Sequence, residues 1–233
     1  MASRPIFVPV PSEPGLVREI YFSFAWNPGF APSQKKKNIN VLHDKAAAAG
    51  YAPLLEISTK SEEKVGQHLS AFHLKVKSSH LGEIPLECAF QGSKIFEFGG
   101  PYIDLYSQDA RSAKQDPRLQ NSGKLIGFKF NDRSFPLEPK TVFYDWLYVN
   151  AIFPHRDWLK RLSSYAGFTD IEFNPEKSIN CQARSCALFV SLSANDLLEK
   201  AVHSQESFID MVSGHSYHIQ QVGENPQGIF FAK

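Results

Sequence analysis

The sequence lacks a long hydrophobic run, an even set of cysteines, a glycine-rich nucleotide loop and a dominant charge, and each absence removes a class of protein. No apolar stretch approaches the roughly 18 residues of a membrane span. Residues 1–14 carry Pro5, Pro9, Pro11 and Pro14 where a signal peptide would have its apolar core. A cytoplasmic protein with no membrane partner is expected. The cysteines, Cys88, Cys181 and Cys186, number 3 and leave one unpaired under any disulfide scheme, so they read as reduced thiols. Lys plus Arg total 25 against 24 Asp plus Glu, a net charge of +1, which is too balanced for a protein that coats nucleic acid without regard to sequence. Any phosphate contact must be local. No Gly-x-Gly-x-x-Gly, P-loop or Gly-x-Ser-x-Gly sequence occurs, which removes the usual dinucleotide folds and serine hydrolases. Cys181 with Cys186 and His215 with His218 match no common zinc spacing, so neither metal nor cofactor is expected.

What is present is a chain of 233 residues, 42% apolar and 21% charged, long enough to bury a sizeable core. No repeat and no Gly/Ser-rich linker divides it, so residues 1–233 read as one domain. Residues 19–26 are rich in β-formers and end at the turn Asn27-Pro28-Gly29. Residues 35–49 read as a helix closed by Gly50, with Lys35, Lys36 and Lys37 at its N-terminal end, where cations oppose the helix dipole. Those lysines are either a solvated charge run or a phosphate-facing edge. Residues 70–77 alternate like a strand, and residues 86–98 look helical up to the stop Gly99-Gly100-Pro101. Helices are expected at 139–152 and 156–166, strands at 168–173 and 187–192, and two short helices at 193–202 and 204–212, the second capped by Gly214. Asp145, Trp146, Tyr148, Asp170 and Glu172 read mostly as core edge or solvent face. The sum is an α+β protein, mainly helical, with a small antiparallel sheet.

Within residues 86–98, Glu87, Gln91 and Lys94 stand at i, i+4 and i+7, which places them on one face of a helix whose other neighbours are mostly apolar. A polar stripe on such a helix needs partners. It is either an ordinary surface face or a pocket wall where an acid, an amide and an amine converge on one ligand.

The run Glu87-Cys-Ala-Phe-Gln91-Gly-Ser-Lys94 resembles the Glu-x3-Gln-x2-Lys helix of the NADAR (YbiA-like) N-glycosidase superfamily. Upstream, Leu69-Ser70-Ala71-Phe72 is similar to that superfamily's Phe-Ser-Asn-Phe element, with Ala71 where Asn is usual. Downstream, Asn180-Cys-Gln182-Ala-Arg184-Ser185 resembles the polar loop before the last core strand. Residues 20–26 with Gly29 and the lysine-led helix look like the antitoxin branch associated with DarT-type DNA ADP-ribosyltransferase toxins. The resemblance implies a mainly helical NADAR core at 66–192, an N-terminal segment at 1–65 characteristic of the branch, and C-terminal helices and tail at 193–233. It also implies removal of ADP-ribose from modified guanine in DNA, with ADP-ribose as product and a cognate toxin as possible partner.

Cleaving a bond from an anomeric carbon to a base nitrogen develops positive charge on the sugar and negative charge on the base, which calls for a carboxylate and a proton donor. Glu87 is the candidate for the acid–base role. Lys94, if desolvated, is the candidate nucleophile, and if charged it binds electrostatically. Gln91, Ser70 and Phe72 are candidate substrate contacts. Asn180, Gln182, Arg184 and Ser185 offer donors for a diphosphate. Trp26, and Phe30 beyond the same turn, could stack on a base, while Lys35, Lys36 and Lys37 could meet DNA phosphates. Two rivals stay open: the same fold acting on phosphorylated riboflavin-pathway intermediates, and a non-catalytic binder of a toxin or of ADP-ribose.

Overall fold

A computed structural model describes residues 1–29, 31–213 and the strand at 219–221. Phe30, Gly214, His215 and His218 lie outside the described residues. The proline-broken opening is itself a strand, β1 (Ala2–Pro9), paired antiparallel with β2 (Val17–Phe24) from Ala2↔Phe24 to Pro9↔Val17. Its prolines hid it in the sequence. Val17, Ile20, Phe22 and Phe24 turn inward from β2. Helix α1 (Pro32–Ala48) begins with proline in its first turn and ends before Gly50, whose φ of 89° suits a residue without a Cβ. Its buried side, Asn38, Ile39, Leu42 and Ala46, covers the sheet.

The chain continues through β3 (Leu54–Glu56), α2 (Lys64–His68), the hairpin β4 (Lys75–Ser78) and β5 (Gly82–Pro85), α3 (Leu86–Gly92) and β6 (Lys94–Phe96). Then come α4 (Ala110–Gln115), α5 (Arg118–Asn121), β7 (Leu125–Phe130), β8 (Arg133–Phe135), α6 (Val142–Ile152) and α7 (Arg156–Leu159). The last described elements are β9 (Gly167–Thr169), α8 (Gln182–Ala194), α9 (Leu198–His203), α10 (Gln205–Ser213) and β10 (Ile219–Gln221). The strands form a sheet in the order β10-β2-β1-β9-β3, the hairpin β4-β5, and the antiparallel ribbon β6-β7-β8. The class is α+β, helix-dominated with small, mostly antiparallel sheets; the parallel pairs are β3 with β9 and β10 with β2.

Several expectations change: the strand expected at 168–173 ends at Thr169, the helix expected at 156–166 is α-helical only to Leu159 and 3₁₀ from Lys160 to Ser164, and the helix expected at 193–202 begins at Leu198, residues 193–194 closing α8. Residues 86–98 are not one helix, because α3 stops at Gly92 and Lys94 opens β6. Residues 187–192 are not a strand but the middle of α8. The strand expected at 70–77 is confined to β4, with a turn at 70–73. Helix α8 is buried from Gln182 to Leu192, and α6 is buried everywhere but Asn150. A helix covered on all sides loses the 3.6-residue pattern and resembles a buried strand in sequence. These two helices pack on each other, and α8 packs on β1.

Alongside the β3–β9 pair runs a buried polar chain that ties α1 to the sheet. The Thr169 hydroxyl donates to Glu56 Oε2 at 2.6 Å, so its oxygen accepts from His43 Nε2 at 2.8 Å, which fixes the Nε2–H tautomer. Glu56 also accepts from Ser58 Oγ at 2.7 Å and from the Ile171 amide at 2.9 Å. Burial pushes the His43 ring down to about 4, partly opposed by Asp44. The unfolded chain therefore binds a proton at His43 before the folded protein does, and stability is lost as pH falls from about 6.5 towards 4. His43→Gln, which keeps an amide donor and cannot titrate, is expected to be less destabilised than wild type on going from about pH 7 to about pH 4.5, by on the order of 2 kcal/mol. Urea unfolding at the two pH values measures this, and parallel losses in both proteins would refute it.

Candidate active site

Leu86, Cys88, Ala89, Phe90 and Gln91 are buried in α3, and Glu87, one turn before Gln91, is its one partly exposed residue. The helix ends where other chain crowds it: a Cβ on Gly92 would lie 2.6 Å from the Tyr106 ring and 2.8 Å from the Tyr102 carbonyl. Ser93 then bonds Tyr106 Oη at 2.8 Å, and its carbonyl accepts from the Lys129 amide at 2.8 Å, turning the chain into β6. Gly100, at φ 87°, packs so closely on Lys94 that a Cβ there would stand 2.2 Å from the Lys94 carbonyl oxygen.

The Lys94 side chain turns back towards the helix it has left. Lys94 Nζ donates to Gln91 Oε1 at 2.6 Å, and Gln91 Nε2 donates to Glu87 Oε1 at 2.7 Å. The three expected residues are thus together, joined in a row rather than ranged along one helix. Lys94 Nζ also sits 5.0 Å from the centre of the Phe90 ring. Desolvation holds the Lys94 amine below its ordinary range; Glu87 opposes the shift and Lys114 reinforces it.

Beside the row stands Tyr144 of α6, edge-on to Phe90 with ring centres 5.3 Å apart. Burial raises its phenol well above the usual range, and the charges of Glu87, Cys181, Asp170 and Asp145 add to this. Asp170, just past β9, accepts from Gln182 Nε2 and from the Glu172 amide, both at 3.0 Å. Burial first, then the charge of Glu56, raises its carboxyl above the usual range. Gln182 Oε1 accepts from the Ala71 amide at 2.7 Å, so Gln182 clamps the 70–73 turn onto the start of α8. Ser70 is buried in that turn, and Phe72 projects from it, 65% exposed. Sequence reasoning missed Tyr144 and set Asp170 aside. Both are made significant by packing between distant segments, for which the local sequence carries no signal.

Other expected contacts are placed differently. Arg184, 5% exposed, pairs through Nη1 with Asp145 and lies 3.9 Å from Glu19 through Nε. Ser185 Oγ donates to the other Asp145 oxygen at 2.6 Å. Both residues are spent inside a buried network rather than presented to a ligand, and Asp145 is core, not solvent face. Asn180 is half-buried; its carbonyl accepts from Ser178 Oγ at 3.2 Å, and its side-chain oxygen is buried. Trp26 packs on Phe24, with Arg4 at 5.2 Å and Lys35 at 5.6 Å from its ring centre. The turn after it is pinned by buried Asn38, whose Oδ1 accepts from the Asn27 amide at 2.8 Å and whose Nδ2 donates to the Asn27 carbonyl at 3.0 Å. The lysines do not form one edge: Lys35 lies by Trp26 and 3.9 Å from Glu172, Lys36 lies 3.8 Å from Glu62, and Lys37 is exposed. Consecutive helical residues point about 100° apart, so the three leave the helix in different directions. Among the described residues no group of three His, Cys, Asp or Glu side chains is placed to hold a metal, and no helix is long and apolar enough to cross a membrane.

The sequence profile of the DarT1-associated NADAR antitoxins matches residues 2–222, nearly the whole chain. The chain belongs to that family. No curated protein matches it at a significant level. Membership of the NADAR-DarT1 family associates the chain with a DarT1 toxin and an antitoxin role.

In this NADAR antitoxin Arg184 is expected to act on stability rather than on ligand. Arg184→Ala leaves Asp145 buried without its cation, a change that costs about 3–5 kcal/mol. Denaturant unfolding would show it. An Arg184→Ala protein of wild-type stability with a raised KM alone would instead return Arg184 to the ligand.

Proposed function

We propose that the protein is an N-glycosidase that removes ADP-ribose from guanine in DNA and so reverses, in the cytoplasm, the modification made by its DarT1-type toxin. The observation that carries the reading is the row Glu87–Gln91–Lys94, in which an amine is partly withdrawn from water, on an aromatic face, within one amide of a carboxylate. An amine held below its usual range keeps a larger neutral fraction, and the neutral form is the nucleophile.

In the proposed reaction the Lys94 lone pair attacks C1′ of the ADP-ribosyl group. The C1′–N bond to guanine breaks with its electrons going to the base. The proton released from Lys94 Nζ, which does not touch Glu87, reaches that carboxylate through water and passes from it to the guanine nitrogen, so charge balances over the step. The ribose ring opens to an imine on Lys94, and water hydrolyses it to ADP-ribose and the free amine. The carboxylate of Glu87 stabilises the positive charge on the sugar while the bond is breaking. Phe72 supplies an exposed aromatic face for a base, and Ser70 a hydroxyl in the same turn. Trp26 and Asn180 are taken as further substrate contacts, and the DNA backbone runs past the N-terminal segment, where Lys36 and Lys37 are exposed.

Purified protein is expected to release ADP-ribose from an oligonucleotide carrying ADP-ribosylated guanine. Glu87→Gln and Lys94→Ala should each lower turnover by at least about 10²-fold while circular dichroism stays that of wild type. Near-normal turnover in both variants would remove this row from the chemistry. Tight binding of the oligonucleotide by wild type with no release of ADP-ribose would make the protein a reader instead of an enzyme.

A further inference from the structure

Gln91 was a candidate substrate contact, yet it is 5% exposed and both ends of its amide are engaged within the protein. The orientation of that amide is forced. Lys94 donates, so Gln91 must turn its oxygen to it; Glu87 accepts, so Gln91 must turn its nitrogen there. The result links a carboxylate and an amine without letting them meet. Direct pairing of the two would hold the proton on the amine, since an opposite charge at contact distance favours the charged form. Partial withdrawal from water would strengthen the attraction, because screening is weaker there.

We propose that Gln91 is a positioning residue, a neutral spacer that keeps Lys94 hydrogen-bonded but out of contact with the Glu87 carboxylate, and that it takes no part in holding the sugar. The sequence spacing follows from this. Glu87 and Gln91 are one helical turn apart, and the break at Gly92 and Ser93 lets Lys94 return to the far end of the amide. A lysine held at i+7 of an unbroken helix would lie two turns from Glu87, about 10 Å along the axis. The broken helix brings the two charges close enough that a spacer is needed. The role of Lys94 as nucleophile rests on the function proposed above; the spacing itself does not.

The test follows the reactivity of Lys94 without any substrate. The full-length protein is labelled with a limiting amine-reactive acyl reagent at fixed pH, and acylation of the peptide containing Lys94 is followed by mass spectrometry. Gln91→Met, of similar size but with no polar atoms to bridge the pair, should slow acylation of Lys94 at least about tenfold, because the amine is freed to pair with Glu87. Gln91→Glu, which puts a carboxylate beside the amine, should slow it further. In the Glu87→Gln background the Gln91→Met substitution should change the rate by less than about twofold, since no carboxylate is left to pair with. Residual turnover of the Gln91→Met single variant should show its rising limb shifted up by about one pH unit with KM little altered. Wild-type acylation in both single variants would overturn the proposal, as would an equal slowing by Gln91→Met with and without Glu87. If Gln91→Glu fails to fold, Gln91→Met alone decides. Because acylation needs no substrate, its outcome stands even where no glycosidase activity is found, and glycosidase activity alongside unaltered acylation would sink only the spacer.

Discussion

An amine that is to act as a nucleophile near neutral pH must be kept both out of bulk water and off the carboxylates that would hold its proton, and the architecture around Lys94 meets both demands at once. The first is met by packing. Phe90 lies under the amine and against Phe128, Phe143 and Tyr144, with ring centres between 5.3 and 6.1 Å away, so α3, β7 and α6 meet at one aromatic cluster. The second is met by the chain's abrupt change from helix to strand. Gly92 admits Tyr106 and Tyr102 at distances no side chain could tolerate, and Ser93 secures the turn with a hydroxyl contact and a carbonyl contact. Removing either feature would leave the residue types in place and lose their geometry.

The remaining buried polar groups serve the scaffold. Arg184, Asp145, Ser185 and Glu19 join α8, α6 and β2, while Glu56, Thr169 and His43 join β3, β9 and α1. Both networks fasten N-terminal strands and helix to the helical core through the small sheet. Buried charges are costly unless paired and hydrogen-bonded; Asp145 and Glu56 accept short hydrogen bonds at 2.6–2.7 Å, and the partly buried Glu19 a longer one at 3.2 Å from Tyr21. Gln182 and Asp170 extend the fastening to the 70–73 turn, so Phe72 is carried on a turn anchored at its back.

Much of this was legible in the sequence. Apolar spacing and terminators marked α1, α6 and the pair α9 and α10, and the Glu87, Gln91 and Lys94 set stood out because polar residues recur in an apolar setting. What the sequence hid was non-local. The pattern of α3 runs on through Lys94, Ile95 and Phe96, and only contact with Tyr102 and Tyr106 stops the helix early. Helix α8 read as a strand because burial on every side erased its periodicity. Arg184 looked like a diphosphate ligand because its partner, Asp145, is 39 residues away in the chain. The two bonds of Gln91 differ in how legible they were: that to Glu87 is the i, i+4 pair the spacing shows, while that to Lys94 spans the turn out of the helix.

The most direct measurement of the account as a whole is reductive trapping during turnover. The protein is mixed with an oligonucleotide carrying ADP-ribosylated guanine and a mild hydride donor, then digested and mapped by mass spectrometry. Attack by Lys94 predicts an ADP-ribosyl adduct, reduced to a stable secondary amine, on the peptide containing Lys94 and absent from the Lys94→Ala protein. Continued release of ADP-ribose with no adduct at Lys94, or with an adduct on a different lysine, would contradict it.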